Sequence, residues 1–375
     1  MSFCLRFFFL CFFLCSVLNA ADYELFTGPQ GEIFPSTIIA SSNLKDDMFE
    51  PDPETLGDPF GIIGIIIEAP ANNTKIKLEM SGQKLFSQSV YEGVLPKKGV
   101  KYGVFPYLKY NVDFLSSIRQ PFSEVISAKV SLAGENLPEK SCKALVRSIN
   151  DCLLTYDEDG DGETIDTYWI IGSYVNENHP EIENILKEAL AKKRVEQFAG
   201  YQGDEKDVKK EIKAIWDTLK ARGIKYSSIV RPSMVDADDF SCMHIRLIGE
   251  ALKNKQASCL EGSVLFASIL RKIDMDPFIV LVPRHAFIGV YLDEDHEEFI
   301  CFETTMLADS SFDEAVETGM EEFEEHEKKL MNEFDDKNSK KKRVSDDQAE
   351  YGIVDIEEVR QLGVLPIREL SAEKR

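Results

Sequence analysis

Positive charge is what this sequence is short of: 43 Lys and Arg stand against 66 Asp and Glu in 375 residues, for a formal net charge of −23. So acidic a surface repels phosphate and anionic headgroups, which argues against binding to nucleic acid or to an acidic membrane. Long apolar runs are also missing after the first twenty residues, and no later stretch approaches the roughly 20 apolar residues of a spanning helix. Stable membrane insertion is therefore not expected. Residues 1–20, MSFCLRFFFLCFFLCSVLNA, hold one Arg, an apolar centre and a small-residue end, the pattern of a secretory signal peptide. Export to a periplasmic or extracellular space follows. Cysteine is scarce too: beyond the leader there are only Cys142, Cys152, Cys242, Cys259 and Cys301. An odd number in an exported chain leaves at least one thiol free, and Cys142 and Cys152 are close enough in sequence to pair.

What is present is ordinary for a globular protein, with 43% hydrophobic and 29% charged residues and enough length for two domains. Residues 21–175 read as a β-rich, sandwich-like domain. Phe60–Glu68, Lys75–Met80, Gln88–Leu95, Lys101–Tyr110 and Glu124–Leu132 are strand-like and are separated by Gly, Pro, Asn and Asp. Asp166–Val175 reads as one more strand. Residues 176–312 hold helical patterns at Glu181–Phe198 and Glu205–Arg222, the second ended by Gly223, with Trp216 on the core side. Residues 313–375 read as a charged helix over Phe312–Phe334, a mobile polar loop to Gln348, and an apolar segment that packs back on the body.

Asp157, Asp159 and Asp161 reproduce the first half of a calcium loop. The twelfth position is Tyr168 where a bidentate Glu is needed, so an EF-hand is not supported and a solvated acidic turn is the preferred reading. A weak calcium site on these three carboxylates is the alternative, and no cofactor is required.

Chemistry concentrates between Lys255 and Thr305. Ser258 followed by Glu261 is a capping-box pattern, which puts Cys259 in the first turn of a helix whose apolar face carries Leu260, Val264, Leu265, Ile269 and Leu270. Free N–H groups and the macrodipole at that end favour an anion, so the thiol is placed to ionise and its surroundings to hold an oxyanion. Strand-like runs follow at Phe278–Val282, His285–Leu292 and Glu298–Thr304. If Asp293-Glu294-Asp295 is a three-residue loop tip, Phe287 stands opposite Cys301 and His285 opposite Glu303, with Cβ atoms roughly 4.5–5.5 Å apart. Cys301 is then core packing, and Cys242, with no helix behind it, is a weaker nucleophile.

SCLEGSVLFASILRKI, PRHAFIGVYL and FICFETT, in that order, resemble the transglutaminase-like superfamily with its papain-like fold, in a secreted bacterial-type form. The likeness covers about Asp204–Asp309. It implies an α+β fold in which a Cys-bearing helix packs on an antiparallel sheet, with Cys259 as nucleophile, His285 as general base and acid, and Glu303 as the orienting acid. Two positions depart from the family pattern: the acid is usually Asp, and Phe287 stands where Trp is common.

The expectation is an exported thiol enzyme of the acyl-transfer class that hydrolyses peptide or amide bonds in a peptide or protein substrate. The contrasting expectation is a catalytically silent binding or scaffold protein of the envelope, with the β-rich domain as its working surface.

Overall fold

The computed structural model describes residues 22–45, 52–157, 163–227, 235–237, 240–335, 341–342 and 351–369. The proposed signal peptide, Asp159 and Asp161 lie outside them. Asp157 ends the strand Asp151–Asp157. The architecture is α+β with mainly antiparallel sheets, and no helix among the described residues is long and apolar enough to cross a membrane.

In the first half, two sheets share one core. Thr74–Gly82 and Phe122–Leu132 pair antiparallel, and their side chains alternate in burial, so Leu78, Met80, Ala128 and Val130 face inward. The second sheet contributes Ile65, Ile67, Tyr102 and Val104 to the same buried cluster. Tyr23 ties the two together: its hydroxyl donates to the Ala128 carbonyl (2.8 Å) and accepts the Lys140 N–H (2.9 Å). The strand expected over Phe60–Glu68 begins only at Gly64. Asp58 to Gly61 closes a turn first, through the Gly61 N–H to the Asp58 carbonyl at 3.1 Å.

Three further expectations need correction. Tyr168–Tyr174 is a 3-10 helix, not a strand, and is buried all round; a continuous apolar run of this length carries no periodicity that separates the two. The helix expected to Phe198 spans Pro180–Ala191, after which the chain turns at Lys193 with φ 50°. Cys142 and Cys152 are both free thiols. They stand in different sheets, Cys142 opposite Ile126 and Cys152 opposite Met243. The helix Glu205–Arg222 has the bounds the sequence suggested, capped by the Asp204 carboxylate on the Asp207 N–H and ended by Gly223 in the left-handed region. Of the polar stretch that follows the long helix Phe312–Asp335, Lys341–Lys342 pairs with Glu163 and Thr164, and its other residues from 336 to 350 lie outside the described ones.

The sheet that matters for function runs Phe299–Phe302, His285–Tyr291, Pro277–Val282, Gly352–Asp355, antiparallel throughout. Both of its faces are covered. Ile279, Ala286, Ile288 and Phe302 join the main core, where the helix Cys259–Lys272 packs. Phe278, Val280, Phe287 and Cys301 join Phe323 and Leu330 of the long helix Phe312–Asp335 on the other face. A central strand buried on both sides loses its alternation, which is why Pro277–Val282 reads as one apolar run. Trp216 is fully buried against Phe266, Phe302 and Phe312, with ring centroids 5.8–6.2 Å from its own. It is a core residue.

Candidate active site

Cys259 is the first residue of its helix. Ser258 caps it, with the Glu261 N–H donating to the Ser258 hydroxyl (3.3 Å) and the Ser258 N–H donating to the Glu261 carboxylate (2.7 Å). That carboxylate is held further by Arg246, through its backbone N–H (2.8 Å), Nε (2.8 Å) and Nη2 (2.6 Å). Burial would raise the Glu261 pKa, but Arg246 and the two backbone donors outweigh it and hold it below the ordinary range. The helix start is thereby fixed from both directions, and the thiol position with it. Cys259 is 8% exposed.

His285 opens its strand and Glu303 follows directly after Phe299–Phe302. The register between these strands differs from the expected one by two residues: Gly289 faces Cys301 and Ile288 faces Phe302. The loop is longer than Asp293-Glu294-Asp295. Leu292 donates to Glu298 (2.8 Å), and the Asp293 carboxylate accepts the N–H groups of Glu297 (3.1 Å) and Glu298 (2.8 Å), an Asx-type closure that absorbs two more residues. A shift of two preserves the face on which each side chain lies. Glu303 therefore still meets His285, but diagonally from beyond the end of the ladder, and its Oε2 lies 2.5 Å from Nε2 of the imidazole. The longer acid suits this geometry, because diagonal neighbours are separated by about 7–8 Å where directly opposed ones are about 5 Å apart.

Glu303 is 4% exposed. Its second oxygen accepts the Thr305 N–H (2.7 Å), and its own N–H donates to the Ala315 carbonyl of the long helix (2.9 Å). Burial pushes its pKa up, the His285 contact and Thr305 pull it down, and the net direction is down. The turn carrying it sits close over the Cys259 helix. At Gly262 a Cβ would come within 2.6 Å of the Thr304 hydroxyl, which itself donates to the Cys259 carbonyl (3.3 Å).

The third neighbour of the imidazole was not legible in the sequence. Glu322, on the long helix, brings Oε2 to 3.5 Å from His285 Nε2. Nε2 carries a single hydrogen, which goes to the nearer Glu303, and Glu322 Oε2 is buried without a hydrogen-bond partner. The one signal that could have pointed here is Gly319, since glycine inside a helix costs about 1 kcal/mol relative to Ala and marks close approach. A Cβ there would lie 2.5–2.7 Å from the backbone of Phe302 and Cys301. The side chains of His285, Glu303 and Glu322 are the group of metal-ligating type found among the described residues, with one ligand atom of each within 4.8 Å of the others.

Cys259 acts on the same imidazole and, like the two carboxylates, favours its charged form. Burial lowers the His285 pKa, but Cys259, Glu303 and Glu322 together push it up to about 12. The imidazole is thus held as imidazolium through neutral pH. No protein-family model and no curated protein matches the chain. The remaining thiols do not share this setting: Cys301 and Cys242 are buried, Cys301 among aromatic rings, and burial raises the Cys301 pKa.

Proposed function

We propose that the chain is an exported, thiol-dependent acyl-transfer enzyme of transglutaminase-like kind that hydrolyses peptide or amide bonds. The observation that carries this reading is the 2.5 Å contact between His285 Nε2 and Glu303 Oε2, made by an imidazole whose charged form Cys259, at the capped start of its helix, also favours. In the reaction, the Cys259 thiolate attacks the substrate carbonyl and a C–S bond forms. The backbone N–H of Cys259, free at the helix N-terminus, helps to hold the oxyanion. Collapse of the tetrahedral intermediate breaks the C–N bond as His285 passes a ring proton to the leaving amine. Water then attacks the thioester with His285 taking its proton, which releases the acid and restores the Cys259 thiolate and the His285 imidazolium. Glu303 fixes the ring and stabilises its charged form throughout. An amine in place of water would give a new amide, the cross-linking outcome.

The test is alkylation of purified protein by iodoacetamide at pH 7, followed by peptide mapping. Modification should fall on Cys259 faster than on a cysteine in an unstructured peptide, and His285→Ala should slow it at least tenfold. Modification of Cys259 no faster than the peptide control would leave the binding or scaffold reading as the better one.

A further inference from the structure

The contact between His285 and Glu322 has no part in the acyl-transfer steps. Nε2, Glu303 Oε2 and Glu322 Oε2 come from three separate elements, so their spacing is set by the packing of the long helix on the sheet and not by one loop. A proton on Nε2 bonds only one carboxylate, so Glu322 Oε2 faces the imidazole at 3.5 Å without making a hydrogen bond. A cation that contacted both carboxylates and the ring nitrogen would give that oxygen the partner it lacks. Imidazole with two carboxylates is a donor set for a divalent transition ion, whereas calcium and magnesium take oxygen alone.

We infer that His285, Glu303 and Glu322 form a zinc-type site in which the ion takes the place of the Nε2 proton. Bonds of about 2.0–2.2 Å in tetrahedral arrangement put ligand atoms roughly 3.4 Å apart. The separation of 3.5 Å between Nε2 and Glu322 already fits, and Glu303 needs to withdraw from 2.5 Å by a rotation of its side chain. Binding releases one proton from the imidazolium, the ion accepts three lone pairs, and its fourth position remains for water. Cys259 is not part of the converging group. The zinc-bound form is not the acyl-transferring one, because Glu303 then binds the ion and the ring carries no Nε2 proton, and zinc uptake can be observed whether or not the metal-free thiol turns over a substrate.

The experiment uses the full chain, stripped with chelator, and titrates zinc against a chromophoric indicator. Wild type should take up one zinc per chain at micromolar concentration, unaffected by millimolar calcium or magnesium. Glu322→Gln should weaken uptake at least tenfold and His285→Ala should abolish it. Glu324→Gln should bind as wild type does, and Cys259→Ala should still take up one zinc per chain. Circular dichroism and thermal melts confirm that each variant is folded; if Glu322→Gln does not fold, Glu322→Ala replaces it. No uptake at micromolar zinc, equal affinity in the Glu322 variants, or loss in Cys259→Ala with retention in Glu322→Gln would each overturn the inference.

Discussion

His285 stands between one thiol and two carboxylates, and its charge is the variable on which the site depends. Its folded pKa lies above the ordinary 6.5 and that of Glu303 lies below the ordinary 4.5. A raised histidine stabilises fully below 6.5 and loses its contribution as pH rises toward about 12. A depressed carboxylate stabilises fully above 4.5 and loses its contribution as pH falls through its folded value. The stability difference between wild type and Glu303→Gln, measured by urea unfolding, should therefore be largest between about pH 5 and 6.5 and shrink on both sides. A difference independent of pH would mean that the pair is not charged in the folded state. Reach gives a second prediction at this scale. Removing one methylene withdraws the carboxylate by about 1.5 Å, enough to break a 2.5 Å contact made on the diagonal. Glu303→Asp should thus lower turnover on an activated ester as strongly as Glu303→Gln, and near wild-type turnover in the Asp variant would show that the diagonal is not the working geometry. The identities of Cys259, His285 and Glu303 were legible because order and residue type suffice to suggest them. Their register was not, because the Asp293 side chain closes a longer loop than the acidic triplet suggests.

At the scale of elements, helix ends were the most legible features. Ser258 with Glu261, Asp204, and Gly223 all act as their types require. What sequence could not supply was how the long helix Phe312–Asp335 docks, since its charged pattern reads as a solvated helix whatever lies beneath it. Gly319 lets it approach the strand Phe299–Phe302 closely, and the atoms a Cβ would meet there are backbone, which cannot swing aside. Gly319→Ala should gain about 1 kcal/mol of helix propensity yet lower the melting temperature, because the helix must lift from the sheet. It should also weaken the zinc uptake attributed to Glu322. A variant that melts higher than wild type would show that the close packing does not hold. Tyr168–Tyr174 shows the opposite limit: burial on every side removed the alternation that distinguishes strand from helix.

Across the whole molecule, one buried cluster extends from Tyr23 to Ile367. The C-terminal segment was read as packing back on the body. It does so through the strand Gly352–Asp355, which pairs with Pro277–Val282, and through buried Val354, Ile356, Val359 and Leu362. A strand of four residues among polar neighbours has too short a pattern to be recognised, so its pairing was invisible in the sequence. Truncation before Tyr351 would expose an apolar edge beside the His285 strand. The shortened protein should melt at least 10 °C lower or aggregate, and an unchanged melt would show that the segment is dispensable. The proposed acyl-transfer function requires Cys259 to act as a nucleophile toward carbonyl carbon. Intact-mass spectrometry of the protein quenched during reaction with an activated acyl ester tests it most directly. One acyl group per chain is expected, mapped to Cys259, absent in Cys259→Ala and strongly reduced in His285→Ala. No adduct, or an adduct on Cys142 or Cys242 that persists in both variants, would contradict it.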